Sequence, residues 1–282
     1  MGKIKFHPYG EEFKEIFKKE KGRIKKLLPE DEVHHIGSTA IPGVGGKGIV
    51  DILVALHDWG TKEKAVEKLK KLGLKHIHPE ENERIFLSKI RESKDKDIHI
   101  HLVKKGGEDY LEKLLFRDFL KINKKEAKKY HNLKQKWGKE AKGNRKRYGK
   151  LKKSYIENII ISAKKEREVF LKKYLSYLGK KVKVVIDRPL GSKHPDFNLV
   201  YAVNYGFLPK TEAFDGDEID VYVLGIKKPI KSLEGEVIAV IHRFDDDEDK
   251  LIVAPEGKEF SEQEIKKLTN FQEKYFKSEI IN

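Results

Sequence analysis

The chain has 282 residues, which is enough for two domains of ordinary size, each with its own hydrophobic core. Charged residues make up 38% of it and hydrophobic residues another 38%, in periodic runs, so the composition excludes a disordered protein. There is no cysteine for a disulfide, no apolar run near the roughly 20 residues of a membrane span, and no signal-type start in MGKIKFHPYG, so we predict a cytoplasmic protein without a membrane partner.

The positive charge is concentrated in the N-terminal part. The net charge is +15, yet residues 167–282 hold 19 lysines and arginines against 21 acids, and the remaining 166 residues hold 42 against 25. Such a field attracts the phosphates of nucleotides or of RNA. Lysine-rich helices that are simply solvated would explain the same composition, so both interpretations stay open.

Hydrophobic periodicity predicts a mixed α/β domain over residues 1–166. The predicted elements, in chain order, are a helix over 11–28, a strand at VHHI, the turn-rich loop GSTAIPGVGGKG, a strand at IVDILVAL, a helix over 61–72, strands at RIFLSKI and DIHIHLV, and helices from 109 to about 178.

Beyond Gly179 the pattern changes to short β runs separated by glycine, proline and acidic turns. These runs are KVKVVID, LVYAVNYGF, IDVYVLG, GEVIAVIHRF and KLIVAP, and an amphipathic helix starts at Ser261. We place a domain boundary near residue 166, inside a continuous helix, because no Gly/Ser/Pro-rich linker occurs there. The second domain then covers residues 167–282.

The stretch FDGDEIDV, residues 214–221, crowds Asp215, Asp217 and Asp220 around Glu218. These carboxylates repel one another unless a cation neutralises them, and oxygen ligands on a turn suit Mg²⁺ or Mn²⁺. The spacing does not match an EF-hand loop. A solvated hairpin turn is the alternative, because Asp-Gly is an ordinary turn signal.

This stretch resembles the signature of the soluble (family I) inorganic pyrophosphatases, and the similarity runs from about Lys181 to Lys277. Four other segments resemble that family in the same order, namely VVID, YAVNYGFLPKTEAF, FDDDEDKLIVAP and FQEKYF. The resemblance implies a small OB-type β-barrel with flanking helices and a multi-metal site that hydrolyses a phosphoanhydride.

The resemblance also implies roles for individual residues. Asp217 would orient or deprotonate the attacking water, Lys250 would neutralise the phosphate, and Tyr205 would donate to its oxygens. Tyr275 would be a second substrate tyrosine. The implied metal ligands are Asp187, Asp215, Asp217, Asp220, Asp245 and one of Glu248 or Asp249, with Mg²⁺ or Mn²⁺ as the cofactor.

The chain departs from the family on the phosphate side of this site. Only 14 positions separate Asp187 from Tyr201, about half the family's length, so the hairpin with the family's lysine, glutamate and arginine is missing. Phe276 replaces the family's last lysine, and Lys277 follows it. The substitutes available for the missing hairpin are Arg188, Lys193 and His194. The expected substrate is therefore pyrophosphate or a related phosphoanhydride.

The segment HIGSTAIPGVGGKGIVDILVAL, residues 35–56, joins a Gly-Ser turn to an aspartate in the next strand. With FRDFLKINKKEAKKYHNLKQKW it resembles the GrpB family, a branch of the nucleotidyltransferase superfamily, over residues 3 to about 164. The resemblance implies a nucleotidyltransferase-like α/β domain with C-terminal helices that binds nucleotide or transfers nucleotidyl groups. A non-catalytic nucleotide- or RNA-binding module attached to the hydrolase is the alternative.

The acidic pair Asp-x-Asp of that superfamily is incomplete here, because Asp51 occupies its first position and Leu53 its second. His99 and His101 lie on one face of the predicted strand DIHIHL, so a site of one aspartate and two histidines would suit a divalent transition metal. Hydrogen-bonded strand histidines are the alternative. The candidate phosphate-binding residues are Gly37, Ser38, Lys47 and Arg84.

The sequence thus predicts an α+β protein of two phosphate-handling domains. Nucleotidyl transfer releases pyrophosphate, and hydrolysis of that product would pull the transfer forward. The substrate would be pyrophosphate or a nucleotide, and an oligomer is compatible with the pattern.

Overall fold

The computed structural model describes residues 6–90, 97–142, 144–195 and 197–282. The chain divides into two compact units, Met1–Lys164 and Lys165–Asn282. In the part of the chain that the structure describes, no helix combines the length and hydrophobicity needed to cross a bilayer.

The first unit is a five-stranded sheet with helices. Its elements are α1 (Glu12–Leu27), β1 (Glu32–Ile36), β2 (Ile49–Leu56), α2 (Lys62–Lys70), β3 (Lys75–Glu81), β4 (Arg84–Lys89), β5 (Asp97–Lys104), α3 (Glu108–Ile122), α4 (Lys124–Glu140) and α5 (Arg145–Leu175), the last of which continues beyond the unit. The strand order is β1-β2-β5-β4-β3. The central pair β2 and β5 is parallel, and the other pairs are antiparallel.

Strand β2 is buried on both faces, which explains its nearly continuous apolar run. One face, which includes Val50 and Ile52, packs in a core with Phe13 of α1 and Leu69 of α2. The other face packs through Leu53 and Ala55 against Tyr110 and Leu114 of α3. Asp51 lies on this second face, so the strand brings one carboxylate under the helices.

The second unit contains a closed five-stranded barrel. Its elements after α5 are β6 (Lys181–Arg188), β7 (Asn204–Leu208), β8 (Ile219–Val223), β9 (Ser232–Arg243), β10 (Lys250–Ala254), α6 (Glu262–Glu273) and β11 (Ser278–Ile281). The order β10-β8-β7-β6-β9 closes because β10 also pairs with β9, and β11 adds to β9 at the outside. Every residue of β10 is buried. Leu251 and Val253 pack in one hydrophobic cluster and Ile252 packs in another, so both faces of the strand are covered.

The predicted α+β fold class is confirmed, with a sheet-and-helix first part and a small barrel with flanking helices. Ser261 caps α6 in a capping box with Glu264.

Two strands were not predicted from the sequence. In β3 every residue is exposed and no apolar alternation occurs, and β11 has only four residues. The predicted helical stretch from 109 is also divided, with breaks at Asn123 and after Glu140.

Candidate functional sites

One end of the barrel gathers acidic side chains around a buried lysine. Strand β8 follows the acidic turn, and β10 runs parallel to it with Leu251 opposite Val221. This register brings Lys250 beside Asp220. The Nζ atom of Lys250, whose side chain is 2% exposed, donates hydrogen bonds to Asp220 and to Glu248 of the preceding loop.

The charges of this cluster are strongly coupled. Burial alone would lower the pKa of Lys250, but the carboxylates of Asp220 and Glu248 raise it well above its usual value. Burial alone would raise the pKa of Glu248, but Lys250 and a hydrogen bond with Asp215 lower it below its usual range. Both partners are therefore charged at neutral pH. Burial raises the pKa of Asp187, to which the Asp220 charge adds.

Two buried tyrosines line the same region. The rings of Tyr201 and Tyr205 are 5.3 Å apart, and the Tyr205 ring is 6.0 Å from Nζ of Lys250. Burial raises the pKa of Tyr201 to about 12, and that of Tyr205 also rises. Both phenols therefore keep their protons at neutral pH and can act as donors.

The other predicted residues of this site are placed differently. Asp217, Tyr275, Lys277 and Lys193 are exposed to solvent. The amide of Asp217 donates to Oδ1 of Asp215 over 3.0 Å, which fixes the turn.

The structure separates the two acids that the sequence left as alternatives. Glu248 contacts Lys250, whereas Asp249 is buried and accepts from the amide of Arg243 over 3.0 Å, with its Oδ1 2.9 Å from Nδ1 of His242. Asp245 accepts from the amide of Lys277 over 2.7 Å. Asp249 and Asp245 thus hold the fold of their loop.

A short loop replaces the hairpin that the sequence lacks. The amide of Gly191 donates to the carbonyl of Tyr201 over 2.8 Å, and Lys193 and Val200 form an isolated bridge. The buried side chain of Asn204 accepts from the amide of Leu190 over 3.0 Å. At its start, Nη1 of Arg188 lies 2.9 Å from Oδ2 of Asp187. A cation therefore stands beside the acidic cluster at the base of this loop.

A buried arginine network joins the end of β9 to the end of α6, and the sequence analysis did not predict it. Arg243 is 1% exposed, and its guanidinium donates to Glu273 over 2.5 and 3.1 Å and to Asp246 over 2.9 Å. The hydroxyl of Tyr222 donates to Glu273 over 2.6 Å. One signal was available, because Glu273 continues the buried helical face of Ile265 at eight positions' distance.

The first unit contains a cavity of about 300 Å³ between its sheet and its helices. Its sheet side carries Asp51, Phe86, His99 and His101, and its helix side carries residues of α3, α4 and α5. Asp51 pairs with His99 across β2 and β5. Oδ1 of Asp51 lies 3.3 Å from Nδ1 of His99 and 3.8 Å from Nε2 of His101.

Electrostatics keep the aspartate of this cavity ionised. Burial alone would raise the pKa of Asp51, but the neighbouring imidazoles of His101 and His99 lower it below its usual range. Burial lowers the pKa of His101, although Asp51 acts in the opposite direction.

Gly37 forms the rim of the cavity in a conformation that suits glycine. Its φ is +70°, and a Cβ atom there would lie 2.4 Å from Oδ2 of Asp51. The other predicted phosphate-binding residues are not among those that line the cavity. Nζ of Lys47 lies 4.0 Å from the centre of the Tyr148 ring, and Nη1 of Arg84 lies 3.5 Å from Asp109. Ser38 begins a short 3₁₀ turn.

Lys134 of α4 is a buried residue at this loop that the sequence did not reveal. Its side chain is on the same helix face as Tyr130, donates to the carbonyl of Gly45 over 2.8 Å and is 5% exposed as a residue. Burial lowers its pKa well below the usual value. The amide of Gly45 donates to Nδ1 of His131 over 3.0 Å, so α4 holds both polar groups of one loop residue.

Neither site is a preformed metal cage. Among the residues described, no group of three or more histidine and carboxylate side chains is arranged to hold a metal ion. The barrel site nevertheless fits a hard divalent cation in its chemistry, because its donors are carboxylate oxygens and two of them already enclose the ammonium of Lys250. In the cavity, Oδ1 of Asp51 faces the ring nitrogens of His99 and His101 instead.

The family model of the GrpB protein matches residues 3–161. The chain belongs to the GrpB family. A crystal structure of GrpB from Enterococcus faecalis superposes with a TM-score of 0.52 at 25% identity and covers 57% of this chain and 98% of that one. The glutamate-rich protein GrpB of Alkalihalophilus pseudofirmus is 28% identical over 165 residues, which are 56% of this chain and 95% of the relative.

The family model of the inorganic pyrophosphatase matches residues 164–281. Soluble inorganic pyrophosphatase 2 of Chlamydomonas reinhardtii is 35% identical over 120 residues. The match covers 36% of this chain and 62% of that protein, so the chain spans less than two thirds of its relative. The predicted resemblance to both families is confirmed, and we refer to the two parts as the GrpB domain and the pyrophosphatase domain.

Proposed function

We propose that the pyrophosphatase domain hydrolyses pyrophosphate or a related phosphoanhydride with Mg²⁺ or Mn²⁺. The observation that carries this proposal is the buried Lys250, held between Asp220 and Glu248 at the acidic end of the barrel. A fixed cation beside carboxylates is the arrangement that phosphoryl transfer needs, because both the phosphate charge and a metal ion must be accommodated.

The residues of the domain divide into two groups. Asp187, Asp215, Asp220 and Glu248 would hold the metal. Asp220 and Glu248 contact Lys250, Asp187 lies within the electrostatic reach of Asp220, and Asp215 interacts with Glu248. Asp245 and Asp249 maintain their loop. A bound divalent cation supplies a water of lowered pKa and neutralises phosphate charge. In this assignment Asp217, exposed on the turn, accepts the proton of that water.

The phosphate side relies on cations and phenols. Lys250 binds phosphate oxygens through its fixed charge, and Tyr205 keeps its proton and donates to them. Arg188, beside Asp187, takes the place of the cations on the missing hairpin. The exposed substrate residues are Tyr275, Lys277 and Lys193.

For the GrpB domain we infer a nucleotide-binding role. The cavity places Gly37 and the ionised Asp51 together at the end of the Gly-Ser turn, which supports it. Nucleotidyl transfer, a transition metal on Asp51, His99 and His101, and RNA binding by the basic surface stay predictions. Steep salt dependence of RNA binding would support the last of these.

The hydrolytic proposal is tested by phosphate release from pyrophosphate with Mg²⁺. Asp217→Asn should lower the rate at least tenfold, whereas Glu218→Gln, a matched change in the same turn, should leave it within twofold. If the native chain releases no phosphate from pyrophosphate or any other phosphoanhydride in the presence of Mg²⁺ or Mn²⁺, the proposal is wrong.

A further inference from the structure

The cavity of the GrpB domain has the size and the lining of a small-molecule site. Its volume of about 300 Å³ is at the lower end of the range for such pockets. It is formed within one unit by the sheet and by three helices. Phe86, Phe116 and Tyr130 give it apolar walls, and its charged side chains come from opposite sides.

The sheet side of the cavity presents hydrogen-bond acceptors. Asp51 is ionised, and the imidazole nitrogens that face it carry the protons of their rings. In His101 this leaves Nδ1 as an acceptor, and Nδ1 is buried with no hydrogen-bond partner within the residues that the structure covers. This buried acceptor does not reach the cavity space, so the acceptor that the sheet side offers a ligand is the ionised carboxylate of Asp51.

The helix side of the cavity presents cations. Lys113 of α3 and Lys152 of α5 both line it. Lys113 also forms a 3.0 Å ion pair with Asp109, so its ammonium is held in position. The acid on this side, Glu112, faces Lys164 at 3.9 Å, and burial raises its pKa. The helix side therefore suits an anionic group.

We propose that this cavity binds a phosphomonoester that also carries hydroxyl groups. The phosphate would contact Lys113 and Lys152, and the hydroxyls would donate to Asp51. A sugar phosphate and a nucleoside monophosphate share this chemistry. The inference deepens the proposed nucleotide-binding role and rests on it only in requiring a phosphorylated ligand.

The test is calorimetric titration of the full chain in EDTA with ribose 5-phosphate, AMP, inorganic phosphate and ribose. Ribose 5-phosphate should bind at least tenfold more tightly than phosphate or ribose, because it reaches both sides of the cavity. Tighter binding of AMP than of ribose 5-phosphate would identify the nucleoside monophosphate as the source, through contacts of the base with the aromatic walls. The opposite order would identify the sugar phosphate.

Variants assign the binding to the cavity. Lys113→Met should weaken ribose 5-phosphate at least tenfold, and Lys152→Met serves the same purpose if the first variant does not fold. Lys104→Met, on the exposed end of β5, is the matched control and should bind normally. Asp51→Leu should lose the preference for ribose 5-phosphate over inorganic phosphate, because the acceptor of the ligand hydroxyls is then absent.

Lys250→Met distinguishes ligand binding by the pyrophosphatase domain from ligand binding by the GrpB domain. Binding that is lost in Lys250→Met and kept in Lys113→Met would belong to the pyrophosphatase domain and would overturn the proposal. A third outcome is that the chain binds ATP or RNA but neither phosphomonoester, and that Lys113→Met and Lys152→Met do not change this binding. That result would support the nucleotide-binding role and overturn the proposal of a phosphomonoester in the cavity. Absence of binding by all of these probes would overturn both.

Discussion

Lys250 donates a hydrogen bond to Asp220, thirty positions earlier in the chain, because β10 runs parallel to β8 at the same end of the barrel. The strand between them in sequence, β9, pairs with β10 but not with β8. Lys250 and Asp220 are therefore brought together by closure of the barrel. The pair sits where the acidic turn meets the barrel.

Removal of the buried ammonium should destabilise the domain in a metal-dependent way. Lys250→Met leaves Asp220 and Glu248 without their cation, so the free energy of unfolding in EDTA should fall by about 3 kcal/mol. Mg²⁺ should restore more stability to the variant than to the native chain, as urea denaturation would measure. Lys181→Met breaks an exposed ion pair with Glu256 and should change stability by less than about 1 kcal/mol. Equal stabilisation of native and variant chains by Mg²⁺ would contradict this assignment.

The buried arginine should be indispensable for the barrel. Arg243→Met leaves Glu273 and Asp246 buried without a cation and should cost about 3–5 kcal/mol in chemical denaturation. The double variant with Glu273→Gln should lose less than the sum of the single changes, because one uncompensated charge is then absent. Strict additivity would show that the two side chains do not interact.

Stability of the GrpB domain should decrease at mildly acidic pH through His35. Burial lowers the pKa of His35 from 6.5 to about 4. The unfolded chain therefore binds a proton on this residue more readily, and the free energy of unfolding falls as the pH drops from 6.5 to 4, by about 2–3 kcal/mol. Above pH 6.5 this contribution is constant.

The His35 effect is measured by comparing denaturation of the native chain with that of His35→Gln from pH 7.5 to 4. The difference in stability between the two should shrink as the pH falls, since only the native chain has the lowered pKa. His76→Gln, on the exposed strand β3, should keep the native pH dependence. An unchanged difference between the native chain and His35→Gln across this window would disprove the assignment.

Two glycines with similar backbone angles separate conformational strain from a steric clash. Gly43 has φ of +77° with no atom near an added Cβ, whereas an added Cβ at Gly37 would strike Asp51. Gly43→Ala should cost about 1–2 kcal/mol from backbone strain alone. Gly37→Ala should cost clearly more and displace Asp51, which thermal denaturation and a crystal structure of the variant would detect. Equal costs would mean that the loop relaxes away from Asp51.

The fold was predictable where one periodicity dominates. The apolar run of β2 and the short β runs after Gly179 directly indicate buried strands. The barrel was predicted from the resemblance of these runs to a known family. Strand β3 was not predictable, because an edge strand exposed on every residue has no alternation to read. The domain boundary at residue 166 stays a prediction.

The candidate sites were predictable as residue types but not as contacts. Asp51, His99 and His101 were proposed as one site from their residue types and strand faces, but the parallel register that sets Asp51 opposite His99 is not readable from the sequence. Sequence reasoning assigned polar residues to solvent, so it missed Lys134 and Arg243, which lie on otherwise apolar surfaces and find partners only in three dimensions. The catalytic and ligand roles of the individual residues stay predictions.

Barrel closure by β10 also bears on when the proposed activity would appear after synthesis. Contacts that join distant segments form slowly, since the intervening chain must first be ordered. Lys250 is the first residue of the closing strand, so its ammonium reaches the acidic turn only when the barrel shuts. Recovery of the proposed hydrolysis during refolding should therefore coincide with the final closure of the barrel, and a chain with an open barrel should be inactive.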